Sequence, residues 1–221
     1  AQLDRYIDAI EVYKETFKHE EPDASTYYYI GECYENLTQY EDALVNYNRA
    51  IKLDPAYADA WLGVGIVLDY QNRMTESIHY IKKALEINPN MAEYWYVFGE
   101  VQHKLGFLEE AAAAYQRVIE IGYDDFDIYI DYAKLLYDGG YYKDCEKILA
   151  EGMLKFTETP ELYYRMSGLQ MELGRKKEGM TFLEHALELD YNKHTELLEY
   201  LPVLENDPLV MGLIHSFKNK E

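Results

Sequence analysis

Apolar positions along the chain recur with helical spacing in short segments, and the segments themselves recur. Aromatic residues open every second segment at Tyr27, Trp61, Trp95, Tyr129 and Tyr163, each 34 residues from the next. Three and four residues on stand Ile30-Gly31, Val64-Gly65, Phe98-Gly99, Tyr132-Ala133 and Met166-Ser167, a large residue followed by a small one. Sixteen residues after each aromatic come Ala43, Ser77, Ala111, Cys145 and Gly179, and seven further on Ala50, Ala84, Val118, Gly152 and Ala186. Two helices approach closely where one presents a small residue and the other fills the space with a large one. The spacing therefore predicts a pair of packed helices in each period.

Turn residues punctuate the pairs. Thr38, Asn72, Gly106, Gly140 and Gly174 fall between the two helices, where a residue in the left-handed conformation ends the first. Pro55 and Pro89 close two units behind Asp54 and Asn88, whereas the later units have Tyr123, Thr157 and Tyr191 at the closing position. Five full units result, at about 24–57, 58–91, 92–125, 126–159 and 160–193. Extended backwards, the register places Ala9 and Tyr13 like Ala43 and Tyr47, so 3–18 reads as the second helix of a half unit within 1–23. Extended forwards, it gives a degenerate sixth unit or capping helices over 194–221, with Leu197, Tyr200 and Leu201 on one helix (195–201) and Leu213 and Phe217 on another (208–218). Asp207-Pro208 is a helix start, and Pro202 shortens the helix before it.

These residues resemble the tetratricopeptide repeat family. The match is best at 27-YYYIGECY-34 with Ala43, Tyr47, Ala50 and Pro55, and at 61-WLGVGIVL-68 with Ser77, Ile81, Ala84 and Pro89. The third unit keeps Trp95, Phe98, Gly99, Ala111 and Tyr115 but has Gln102 where the family has an aromatic residue, and the fourth and fifth are degenerate. The resemblance implies an all-α fold, a right-handed α-α superhelix of antiparallel helix pairs, running through 1–221 as one domain because a lone hairpin cannot bury its apolar face. It also implies a concave surface, lined by the first helices, that receives an extended peptide or a partner helix.

Helical spacing then selects the residues expected on that surface, beginning one position after each key aromatic. They include Tyr28 and Glu32; Leu62, Ile66 and Tyr70; Tyr96, Glu100 and His103; Ile130, Lys134 and Tyr137; and Tyr164 and Met171. Trp61, Trp95 and the tyrosines in their register read as core. Some family members hold the free carboxylate of chaperone tails with Lys, Asn and Arg, but here the corresponding positions hold Tyr28, Glu32, Leu62 and Ile66. Lys104 and Lys134 are too isolated to rebuild such a clamp, so a chaperone carboxyl-terminal tail is not the expected partner.

Charge narrows the partner further. Asp plus Glu number 41 against 21 Lys plus Arg, a formal charge of −20, which repels nucleic acid and anionic membrane surfaces. A protein or peptide with apolar and basic residues suits a surface of tyrosines flanked by carboxylates. The 24 tyrosines suit contacts that are apolar on one side and wet on the other. Cys33 and Cys145 form no disulfide framework, no apolar run is long enough to insert in a membrane, and no basic-then-apolar leader opens the chain. A cytoplasmic setting is favoured, while a removed export signal would leave no trace; the start at Ala1 within a helical pattern suggests a processed or trimmed piece.

No chemistry stands out from the repeat. His19, His79, His103, His185, His194 and His215 make no metal-ligand motif, and there is no nucleophile motif, phosphate loop or dinucleotide fingerprint. No cofactor or metal is expected. Gly139-Gly140 reads as a turn and 174-GRKK-177 as solvated turn surface. The sequence thus points to a non-enzymatic scaffold or adaptor. The alternatives are a self-assembly module, using the terminal units or the 209–217 apolar stripe, and an accessory helical region of a larger enzyme.

Overall fold

The computed structural model describes residues 2–17, 19 and 21–218, and among them it is all-helical without strands. The helices are α1 (Gln2–Thr16), α2 (Ala24–Asn36), α3 (Tyr40–Leu53), α4 (Ala58–Tyr70), α5 (Met74–Ile87), α6 (Ala92–Lys104) and α7 (Leu108–Ile121). They continue with α8 (Asp127–Asp138), α9 (Tyr142–Lys155), α10 (Pro160–Glu172), α11 (Lys176–Leu189), α12 (His194–Tyr200) and α13 (Pro208–Lys218). Short 3-10 turns at Tyr191–Lys193 and Pro202–Asn206 flank α12. The segment expected over 3–18 runs Gln2–Thr16, and Lys18 lies outside the described residues. None of the described helices is long and apolar enough to cross a membrane.

The chain divides into two compact units, residues 1–123 and 124–221. In the first, α2 pairs with α3, α4 with α5 and α6 with α7; α1 also packs on α2, α3 on α4 and α5 on α6, and α2, α4 and α6 lie side by side. In the second, α8 pairs with α9 and α10 with α11, α8, α10 and α12 neighbour one another in turn, and α13 packs against α11.

The small positions explain the close pairing. The Tyr47 ring is wedged between two first helices: a methyl group on Gly31 would stand 2.7 Å from it, and one on Gly63 2.6 Å from it. Ala43, Ala50, Ser77, Ala84, Ala111, Cys145, Gly152, Gly179 and Ala186 are all buried. In the second and fifth pairs a serine bridges the two helices. Ser77 Oγ donates to the Gly65 carbonyl at 2.7 Å, and three periods later the roles are exchanged, with Ser167 Oγ donating to the Gly179 carbonyl at 2.9 Å. The bond itself needs one small residue facing one hydroxyl, on either helix.

The five turns within pairs share one geometry. Thr38, Asn72, Gly106, Gly140 and Gly174 all have positive φ, and the next residue's amide closes back on the helix, as from Gln39 to Tyr34 at 2.8 Å and Arg73 to Leu68 at 2.8 Å. These bonds satisfy carbonyls that the helix end leaves open. Gly122 (φ 87°) ends α7 in the same conformation where the closing proline has been lost. Asp207 caps α13, its Oδ1 accepting from the Leu209 amide at 3.0 Å and the Val210 amide at 3.3 Å.

The key aromatics divide in a way the periodicity does not show. Tyr129 is buried, but Tyr27, Trp61, Trp95 and Tyr163 are half-buried rather than core. Their polar ends clasp the preceding turn: Trp61 Nε1 donates to the Pro55 carbonyl at 3.0 Å, Trp95 Nε1 to that of Pro89 at 2.8 Å and the Tyr163 hydroxyl to that of Thr157 at 3.0 Å. An amphipathic ring with a donor at its rim fits this boundary position.

Candidate binding surface

Within each unit the first helices are stitched at a constant stagger. Tyr94 donates to Asp59, Lys104 to Asp69 at 2.5 Å and Tyr137 to Glu172, each pair 35 residues apart, one more than the sequence period. Neighbouring first helices are thus offset by one position. Asp69 Oδ1 is buried without a hydrogen-bond partner among the described residues, so the Lys104 pair leaves one oxygen of that carboxylate unsatisfied.

In the first unit, residues from α2, α4 and α6 form a surface of tyrosines and carboxylates. Tyr28 is half-buried, its ring 5.3 Å from Tyr57 and 5.8 Å from Tyr47. Burial and then Glu32 push its hydroxyl pKa upward. Glu32 is exposed beside Asp59 and Glu93. Its carboxyl titrates above the usual range, first from partial desolvation and then from Glu93 and Asp59, while hydrogen bonding with Tyr28 pulls the other way. Glu93 is raised by desolvation and Asp59, and Glu35 by desolvation, though it accepts the Tyr47 hydroxyl at 2.6 Å. Among the described residues none of Glu32, Asp59 and Glu93 has an ion-pair partner. Tyr70 is 58% exposed and stacks on Tyr40 at 5.7 Å. Tyr96, Ile66, Glu100 and His103 are half-buried, with Tyr96 6.0 Å from Tyr115 and Ile66 packed on the core.

Two expected surface residues are interior. Leu62 is 4% exposed, in a cluster with Ile81, Tyr94 and Phe98, and Tyr164 is 1% exposed, its hydroxyl donating to the Asp190 carbonyl at 2.8 Å. The neighbouring helix covers both; Tyr28 in the same register keeps an open edge. In the second unit Ile130 is half-buried, Lys134 exposed, and Tyr137 half-buried with its ring 5.1 Å from Tyr200. Met171 is taken up by packing, since a methyl on Gly179 would stand 2.5 Å from its Cγ.

Each unit also holds a cavity. In the second, one of about 390 Å³ is lined by Lys134, Tyr137, Arg165, Glu196 and Tyr200, with the Arg165 guanidinium 4.7 Å from the Tyr200 ring centre. In the first, one of about 360 Å³ lies between α1 and α2 and is lined by Arg5, Tyr6, Ala9, Tyr13, Tyr29 and Glu32. Sequence reasoning placed Tyr13 by register but assigned no surface role to it, to Tyr6 or to Tyr29. It also passed over Asp59 and Glu93, although Asp59, Glu93, Asp127 and Glu161 recur every 34 residues at the first-helix start. That column was the available signal. Cys145 is buried and its thiol is pushed up to about 12, chiefly by desolvation, which makes it a packing residue and not a nucleophile.

Comparison with known proteins agrees with this geometry. A model described as TPR repeat matches residues 39–69, and two described as tetratricopeptide repeat match 65–126 and 160–193. No curated protein matches the chain. Among solved structures, YrrB, described as a TPR protein with an unusual peptide-binding site, superposes with a TM-score of 0.68 at 20% identity, covering 86% of this chain and 98% of YrrB. The C-terminal part of a TPR repeat-containing protein from Cytophaga hutchinsonii gives 0.74 at 13% identity, covering 98% and 92%. MamA from Desulfovibrio magneticus RS-1 gives 0.62 at 19% identity, covering 69% and 86%. At such identities the structural likeness establishes the fold alone. The three family matches together span more than half of the sequence and agree with the observed helix pairs, so the chain belongs to the tetratricopeptide repeat family.

Proposed function

We propose that the protein is a non-catalytic interaction scaffold that holds a partner peptide or helix on the first-helix face of residues 24–123. One observation carries this reading: Tyr28 and Tyr70 share that face with Glu32, Asp59 and Glu93, like charges close enough to raise the proton affinity of Glu32 and Glu93, and none of the three has a cation of its own among the described residues. Such a surface favours a partner that brings apolar area together with Lys or Arg. Half-exposed tyrosine rings bury much area at little rotamer cost, and opposite charge speeds encounter and selects against acidic competitors. The peptide-binding site named for YrrB supports the same use of the fold.

Affinity capture of cell-extract proteins on the intact chain, with mass-spectrometric identification, tests the reading. A specific partner should be retained in low salt, released as salt rises, and lost on a Tyr70→Ala, Glu93→Lys variant. Equal retention of every partner on the variant would reject this face. A second reading, self-assembly, draws on the exposed Val203 and Leu209 near the carboxyl end. A concentration-independent monomer in light scattering would dismiss it.

A further inference from the structure

The cavity between α1 and α2 and the carboxylate cluster on the first-helix face share one residue, Glu32. On one side of it stand the rings of Tyr6, Tyr13 and Tyr29, the last two nearly parallel with centroids 6.2 Å apart. On the other side Asp59 and Glu93 act on its carboxyl. Tyr29 is 44% exposed, so the ring-lined side opens to solvent. The cavity, at about 360 Å³, has room for one large side chain. Its charged lining residues are Arg5 and Glu32.

From this juxtaposition we infer a two-point recognition site for a short segment pairing an aromatic residue with a nearby Lys or Arg. The inference rests on the scaffold reading above and specifies its ligand. The aromatic side chain enters the cavity and lies against the tyrosine rings that line it, where ring-to-ring contact adds to the burial of apolar area. The cation lies against Glu32, Asp59 and Glu93 and replaces their mutual repulsion with attraction. Tyr28, whose ring adjoins Tyr29 at 5.3 Å, flanks the cation and offers it a ring face. Charge complementarity selects this occupant: an acidic or purely polar segment would add a carboxylate to three already uncompensated ones or leave the tyrosine-lined space unfilled. An apolar segment without a cation would satisfy half of the site.

Selection from a displayed library of random dodecapeptides on the intact chain, followed by anisotropy with the enriched peptides carrying a dye, tests this. Enriched peptides should pair Trp, Phe or Tyr with Lys or Arg a few residues away. Glu32→Gln with Glu93→Gln should weaken them about tenfold and remove the salt dependence while keeping the aromatic preference. Tyr29→Ala should weaken them by a similar factor and leave the salt dependence intact. Both changes lie at exposed positions, and unchanged circular dichroism would show the fold is kept. Enrichment of peptides lacking the pair, or binding that neither variant alters, would overturn the two-point site and leave the scaffold reading standing. No enrichment from the library would overturn both.

Discussion

The two units use one repeat, but two sets of carboxylates within them meet different neighbours. In the second unit cations sit on them: Lys193 on Glu161, Arg175 on Glu146 at 2.9 Å, and Lys176 on Asp207. In the first, Glu32, Asp59 and Glu93 face one another on the first helices without a cation among the described residues. Ion pairs that join helices contribute to holding them together, whereas uncompensated carboxylates lower stability and are useful chiefly to a partner. Glu161, Glu146 and Asp207 thus read as carboxylates used to tie elements together, as is Asp69 of the first unit by Lys104, and Glu32, Asp59 and Glu93 as a group kept open for binding.

The largest effect that would separate the units concerns packing. Gly63→Val should destabilise the first unit by about 2–3 kcal/mol, because Tyr47 is held on both sides and cannot move away. Gly168→Ala should cost much less, since the half-buried Tyr200 ring it meets at 2.7 Å can shift and helix propensity returns up to about 1 kcal/mol. Urea unfolding, read helix by helix with hydrogen exchange, distinguishes them; equal losses would refute the wedge.

Next in size is the ion pair at Glu161, whose side chain is largely covered while Lys193 is partly exposed. Lys193→Met should destabilise the second unit by about 1–2 kcal/mol, mostly by leaving a covered carboxylate unpaired. If thermal unfolding of the variant matched the parent, the pairing of Glu161 with Lys193 would have no energetic meaning.

The smallest effect has the opposite sign. Glu93→Gln should stabilise the first unit by about 0.5 kcal/mol at neutral pH by removing one like charge. Glu32, Glu35 and Glu93 titrate above the ordinary carboxylate range, so their folded forms bind protons more readily than the unfolded chain does. Their contribution is therefore most favourable below the ordinary range and is lost as pH rises through the raised values. The advantage of the Gln variant should vanish below about pH 4. Glu146, held low chiefly by Gln170 and then Arg175, and Asp207, held low chiefly by Lys176, act in the reverse sense and lose their contribution as pH falls. Asp127 and Glu196 in the second unit share the direction of Glu32, so the comparison concerns these named groups and not whole-unit titration. Melting temperatures of parent and variant across pH 3–8 that ran parallel would break it.

Much of the fold was legible in the sequence. The five positive-φ turns, the buried small positions and the Asp207 cap all follow from residues a few places apart, and repetition at 34 residues multiplies a weak local signal. The surface was legible only in part. Tyr28, Leu62 and Tyr164 occupy one register position, yet the first keeps an edge open and the other two are covered. The cavity between α1 and α2 was not legible, because Ala9 and Tyr13 keep the register of Ala43 and Tyr47 and nothing in that register marks an open space beside them.

The sequence by itself determined that helices form, where they stop and which residues let them pair, since these are matters of local spacing, turn chemistry and side-chain size. Only the tertiary structure decided which tyrosines stay exposed, which carboxylates meet a cation and which meet one another. Those outcomes depend on a neighbour about one period away, at the one-residue offset seen between Asp69 and Lys104, and nothing local to either residue encodes that distance.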